Sequence, residues 1–149
     1  MKELYATAGG TTPASLERCF GLLSAIEGYP RWYPGGVLSA ESLERDADGL
    51  TTRARATLHL GHGPLIKQFP LHLAVVTERL ASIELRRMPE DPRDDEQLSV
   101  FWRLTEDARG RRIDVELRAH LVLPRFLPIG GMAESVARNF VEAAVIALN

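Results

Sequence analysis

Four histidines, one cysteine and three tyrosines are the obvious bearers of chemistry in this 149-residue chain. The histidines do not converge. His59, His72 and His120 fall in the polar phase of alternating stretches and are expected to face solvent. His62 lies in a Gly-His-Gly turn, where an imidazole could act as general acid or base at the rim of a site. Metal sites need His, Cys or carboxylate ligands at matching spacing, and none occurs, so no metal is expected. Cys19 stands at helical spacing with Leu16, Phe20 and Leu23, the place of a buried filler rather than a thiol nucleophile. The sequence has no Gly-x-Ser-x-Gly elbow, no phosphate-cradling glycine loop and no dinucleotide fingerprint, so it implies no cofactor.

The aromatic segment Tyr29-Pro30-Arg31-Trp32-Tyr33-Pro34 is more informative. Tyr29 and Tyr33 could each donate a phenolic proton to a bound molecule. Trp32 has two readings: a plug that packs this turn onto its neighbours, or part of a cavity wall. Arg87 and Glu41 are the charged residues whose strand phase could turn them inward, and each could equally be a rim charge in water. Arg87 joins Tyr29, Tyr33 and His62 as a catalytic candidate.

These residues need elements to position them. Residues 2–8 read as a short strand, broken by Gly9-Gly10. Thr12 as N-cap and Pro13 at the first helical position predict a helix ending before Gly28, and the aromatic segment then makes a helical turn. From Val37 the period changes to two. Asp48-Gly49 marks a hairpin, and Gly61-His62-Gly63-Pro64 marks the next turn. Ala54, Ala56 and Leu58 form the apolar phase of one strand, and Phe69, Leu71 and Leu73 that of the next. Ile83 and Leu85, then Val100 and Trp102, then Leu117 continue the same face through three more strands. The acidic stretch 90–96 reads as a solvated loop. Pro124, Pro128 and Gly130-Gly131 end the sheet, and a helix over about 132–148 presents Met132, Val136, Phe140, Ala143, Ala144 and Ala147 on one face. The expected fold class is α+β: a curved seven-stranded antiparallel sheet wrapped around a long C-terminal helix. A short N-terminal helix and a helical turn lie between the first two strands.

Composition narrows the function. The chain is 45% hydrophobic and 26% charged with net charge −2, an ordinary globular balance without the basic footprint of a nucleic-acid binder. Surface scaling lets a chain of this size bury roughly two-thirds of its unfolded surface. Residues 1–149 are therefore expected to form a single domain. The N-terminal residues lack a signal-peptide h-region, and the C-terminal helix is too often interrupted by polar residues to span a bilayer; the expected location is cytoplasmic. Its basic residues are nearly all arginine, a compositional hint of a GC-rich bacterial genome.

The order of elements resembles the START-like or SRPBCC superfamily of helix-grip proteins. More narrowly it resembles the polyketide cyclase/dehydrase and lipid-transport family, with its coenzyme Q-binding members. Tyr29-Pro30-x-Trp32-x-Pro34 after the first helix, Trp102-x-Leu104 before the last hairpin, and Pro124 to Pro128 followed by Phe140-x-x-Ala143 carry the resemblance. It implies a cavity between sheet and long helix, holding an apolar lipid, isoprenoid quinone or polyketide-like compound. The expected wall is Trp32, Ala54, Ala56, Leu58, Phe69, Leu71, Leu73, Ile83, Leu85, Val100, Trp102 and Leu117 with Met132, Val136 and Phe140 of the helix. Small residues on facing surfaces, Ala54 and Ala56 against Ala133, Ala137 and Ala144, mean either that helix and sheet approach closely or that they stand apart, and sheet curvature favours a void, typically of roughly 300–1,000 Å³. Aromatase/cyclases of this kind are described with an arginine and polar groups inside, whereas the inward phase here is aliphatic. That difference favours binding or transport, with a polyketide aromatase/cyclase or dehydratase as the alternative. The expected partner is an apolar small molecule, with neither nucleic acid nor stable membrane insertion, and oligomeric state is not readable.

Overall fold

The computed structural model describes residues 2–62, 65–122 and 131–149. Strand β1 (Lys2–Thr12) leads into helix α1 (Leu16–Ser24), a 3-10 turn (Ile26–Gly28) and the one-turn helix α2 (Tyr29–Trp32). Six strands follow: β2 (Val37–Arg45), β3 (Thr51–His62), β4 (Leu65–Glu78), β5 (Ser82–Arg87), β6 (Gln97–Asp107) and β7 (Gly110–Leu121). Helix α3 (Met132–Leu148) comes last. All strands join one antiparallel sheet in the order β1-β7-β6-β5-β4-β3-β2, as the period-two alternation requires.

Two boundaries differ from expectation. Gly9 and Gly10 do not break β1; they pair with Asp114 and Ile113 and the strand runs on to Thr12. Their role is close approach. A Cβ on Gly10 would meet Val141 Cγ1 at 3.0 Å and Val145 Cγ2 at 3.2 Å, so the missing side chain lets α3 settle against β1. The helix start also moves. Ser15, not Thr12, is the N-cap of α1, its hydroxyl accepting the Arg18 N–H at 3.2 Å. The Thr12 hydroxyl instead accepts the Ala14 N–H at 3.1 Å and closes the strand.

Hairpin chemistry follows the sequence more closely. Gly49 takes φ +82 between β2 and β3, while the Asp46 carboxylate accepts the N–H groups of Asp48 and Leu50. Gly63, Pro64, Pro124, Pro128 and Gly130 lie outside the described residues.

The inner face of the sheet is built in rows. Ala6, Leu117, Val100, Leu85 and Val75 are successive cross-strand neighbours, and all are buried. One level along the strands lie Ala8, Val115, Trp102 and Ile83; one level the other way lie Leu4, Ala119 and Leu98. α3 runs beside β1 in the same direction, and Asn149, just after the helix, reaches the end of the strand at Thr12. Its buried stripe is Ala133, Ala137, Phe140, Val141, Ala144 and Leu148 together with Met132. Val136, Ala143 and Ala147 are only half-buried, so the stripe is rotated from the expected one. α1 supplies Cys19, Phe20, Leu23 and Ser24 to the core and covers β5 and β6. Burial pushes the Cys19 thiol up, in keeping with a filler.

Candidate ligand-binding site

The interior is not filled evenly. A cavity of about 80 Å³ lies where the first turns of α3 face the sheet. Its walls are Leu58, Phe69, Leu71, Val100 and Leu117 from the strands and Met132, Val136 and Phe140 from the helix, all expected there. A second void of about 30 Å³ adjoins it, bordered by Ala56, Leu73 and Leu85 and sharing Leu58, Leu71, Val100 and Phe140 with the first. Both are far smaller than the expected space. Aromatic rings packed around Phe140 take up the room. Phe140 lies 4.8 Å from Tyr33, 5.6 Å from Trp32 and 5.0 Å from Trp102, centroid to centroid, so four aromatic rings occupy the middle of the molecule.

Four expected wall residues border neither void. Ala54 is buried in the packed sheet, and Ile83 and Trp102 are wholly enclosed beneath α1. Trp32 also stands outside both. It packs at 4.8 Å from Tyr29 and stacks on Tyr33, so of its two readings the geometry follows the plug. Its indole N–H is buried without a hydrogen-bond partner, at a cost of about 1–3 kcal/mol.

Wall residues that the sequence reading left out are Leu4, Val37, Leu98, Ala119 and Leu121, with Ile26 on the smaller void. Leu4, Leu98, Ala119 and Leu121 all stand in the apolar phase of their strands, so their inward direction was readable. Their grouping at one end was not, because it depends on register across three strands. His59, expected in solvent, is half-buried at the cavity edge, its backbone N–H donating to Gly36 O at 2.8 Å. His72 is half-exposed; its Nε2 accepts from Arg55 Nε at 3.3 Å and its Nδ1 lies 3.6 Å from Glu90.

The polar candidates separate cleanly. Tyr29 is buried and its hydroxyl donates to Leu23 O at 2.6 Å, so its proton is committed to the backbone; burial also raises its pKa. Tyr33 does line the cavity, and burial raises its pKa, so the phenol stays protonated at neutral pH. Its ring occupies the space beside Gly36, where a Cβ would meet ring carbons at 2.3 and 2.5 Å. Arg87 has the inward phase, yet its guanidinium turns into the 88–96 loop. It forms a half-buried ion pair with Asp94 at 2.6 Å and donates to Glu96 O at 2.8 Å. The acidic loop is therefore not simply solvated. Glu41 points outward and pairs with Arg55 at 3.2 Å in water. The His62 side chain lies outside the described residues.

A larger hollow of about 700 Å³ opens beside the same loop among Arg86, Arg87, Asp94, Arg118 and His120. Its arginines are already paired, Arg86 with Glu84 and Arg118 with Glu116, and Arg118 also covers the Tyr5 ring. Among the described residues no group of three or more His, Cys, Asp or Glu could hold a metal ion, and no helix is long and apolar enough to cross a membrane.

A seven-stranded antiparallel sheet curved around a C-terminal helix, with two short helices inserted after β1, is the helix-grip arrangement of START-like proteins. The model of the polyketide cyclase / dehydrase and lipid transport family matches residues 12–149, and the chain belongs to that family. A START superfamily protein from Mycobacterium smegmatis superposes with TM-score 0.75 at 17% identity, over 97% of each chain. The Zhui aromatase/cyclase from Streptomyces sp. R1128 superposes with TM-score 0.56 at 18% identity, over 98% of this chain and 86% of that one. The di-domain aromatase/cyclase BexL from the BE-7585A biosynthetic pathway matches at TM-score 0.70 and 10% identity; this chain spans half its length. At these identities the likeness establishes the fold alone. A search of curated proteins finds no significant match.

Proposed function

We propose that residues 1–149 form a single cytoplasmic binding domain for an apolar small molecule, seated between the sheet and the first turns of α3. One observation carries this reading: a void walled by leucine, valine, phenylalanine and methionine sits at the N-terminal end of α3, and among the described residues Tyr33 and His59 are the polar ones at it. A site so poor in polar groups binds by desolvation and shape, with little to steer a reaction. As the structure stands, the void is about half of the ~150 Å³ known to admit benzene. It therefore suits a short apolar group, and a lipid or quinone would have to widen it.

A polyketide aromatase/cyclase or dehydratase remains the alternative because Tyr33, a protonated phenol, reaches the cavity. Of the described catalytic candidates, Tyr33 is the one at the cavity with its hydroxyl uncommitted, since Tyr29 and Arg87 are engaged elsewhere. Native mass spectrometry of protein purified without detergent tests the binding reading. A retained small molecule is expected, and it should be lost in Val136→Phe, where a ring fills the void. Protein that carries no ligand and gives the same methyl NMR spectrum with and without alkanols would overturn it.

A further inference from the structure

We infer that the ligand is a short-chain monocarboxylate, its acid group held by Lys67 at the mouth of the cavity. This rests on the binding reading above. On β4 the inward phase runs Lys67, Phe69, Leu71, Leu73 and Val75, so a cation stands in line with the apolar wall. Lys67 Nζ lies 4.9 Å from the centroid of the Phe69 ring, and Phe69 lines the cavity. The ammonium also donates to Val122 O at 3.2 Å, reaching from β4 to the end of β7.

Lys67 has no salt bridge among the described residues, unlike Arg45, Arg53, Arg55, Arg87, Arg111 and Arg118. The neighbouring carboxylate, Glu96, is taken up by the Val122 N–H at 2.8 Å. An ammonium carries three donors, and one backbone carbonyl leaves capacity for a further acceptor. The half-buried position beside an aromatic ring makes an incoming anion the better partner than a neutral group. Chain length follows from volume. About 80 Å³ is roughly half of the ~150 Å³ cavity that admits benzene, room for a chain of a few carbons between Phe69, Leu98 and Met132.

The test compares butanoate with butan-1-ol, followed by the Met132 methyl signal of the full chain at low salt. The wild type should prefer butanoate by about tenfold or more. Lys67→Met, which keeps the apolar stem, should bring the two affinities together while leaving butanol binding within about twofold, and Lys67→Arg should keep the preference. Equal affinities in the wild type, or a preference that survives Lys67→Met, overturn the inference and leave the apolar site standing. If neither compound moves the Met132 signal, the binding reading falls and this inference with it.

Discussion

The two ends of the sheet's inner face share the same strands and the same covering helix, yet one is solid and the other is hollow. At the solid end Trp102, Ile83, Val115 and Ile113 are all 0–1% exposed, sealed by Cys19 and Leu23 of α1 and by Tyr29. At the hollow end the corresponding row is Leu4, Ala119 and Leu98, and among the described residues no second helix covers it. Phe140 is the partition: its ring meets Trp102 edge-on at 80° on one side and lines both voids on the other. The lesson is physical. A curved sheet and one helix cannot fill the space between them with aliphatic side chains alone, so cavity or core is decided by where the large rings and the extra helix are placed.

Truncations at the two ends should cost unequal amounts. Trp102→Ala removes a fully enclosed indole, and a loss of about 3–5 kcal/mol is expected in denaturant unfolding. Ile83→Ala should fall in the upper part of the ~2–5 kcal/mol range, and Leu117→Ala, which already faces a void, in the lower part. Equal costs for Ile83→Ala and Leu117→Ala would erase the distinction between the ends.

Additions should show the reverse asymmetry. Gly10→Ala places a methyl 3.0 Å from Val141 Cγ1 and 3.2 Å from Val145 Cγ2, so both side chains must give by a few tenths of an ångström, and a cost of about 1–3 kcal/mol is expected. Val136→Phe grows into the cavity and should cost less than about 1 kcal/mol or add stability. A Val136→Phe protein as destabilised as Gly10→Ala would mean the hollow end closes in solution.

Most of the sheet was legible because alternation with period two is a direct print of a half-buried strand, and Asp48-Gly49 and Gly110 mark their turns. What failed was local. Gly9-Gly10 looks like a break, but a glycine that admits a helix and a glycine that turns the chain have the same letter. Thr12-Pro13 has the chemistry of a helix start, but Ser15 lies where the strand actually releases the chain. The site divides the same way. Direction toward the interior could be read for most wall residues. Which end of the interior they occupy could not, since Trp102 and Val100 share a phase and only register separates core from cavity. Lys67 went unremarked because the apolar run was counted from Phe69, two residues too late.

The smallest expected effect concerns acid, and it should act on the hollow end alone. Arg87 and Asp94 tie the β5–β6 loop against that end, and Glu96 of the same loop holds the Val122 N–H. Hydrogen bonding from the Arg87 guanidinium, with help from the backbone N–H groups of Glu90 and Glu96, lowers the Asp94 pKa to about 2. A carboxyl whose folded pKa lies below its unfolded value of about 3.9 stabilises the folded state above that value, and the contribution fades as pH falls toward 2. Amide exchange at Leu98 and Val122 should therefore quicken between pH 4 and 2, relative to intrinsic rates, while Trp102 and Ile113 stay protected. Asp94→Asn should show the quicker exchange at neutral pH already and lose that pH step. A wild type in which both ends loosen together, matched by the variant at every pH, would show that the ion pair does not hold the cavity end separately from the core.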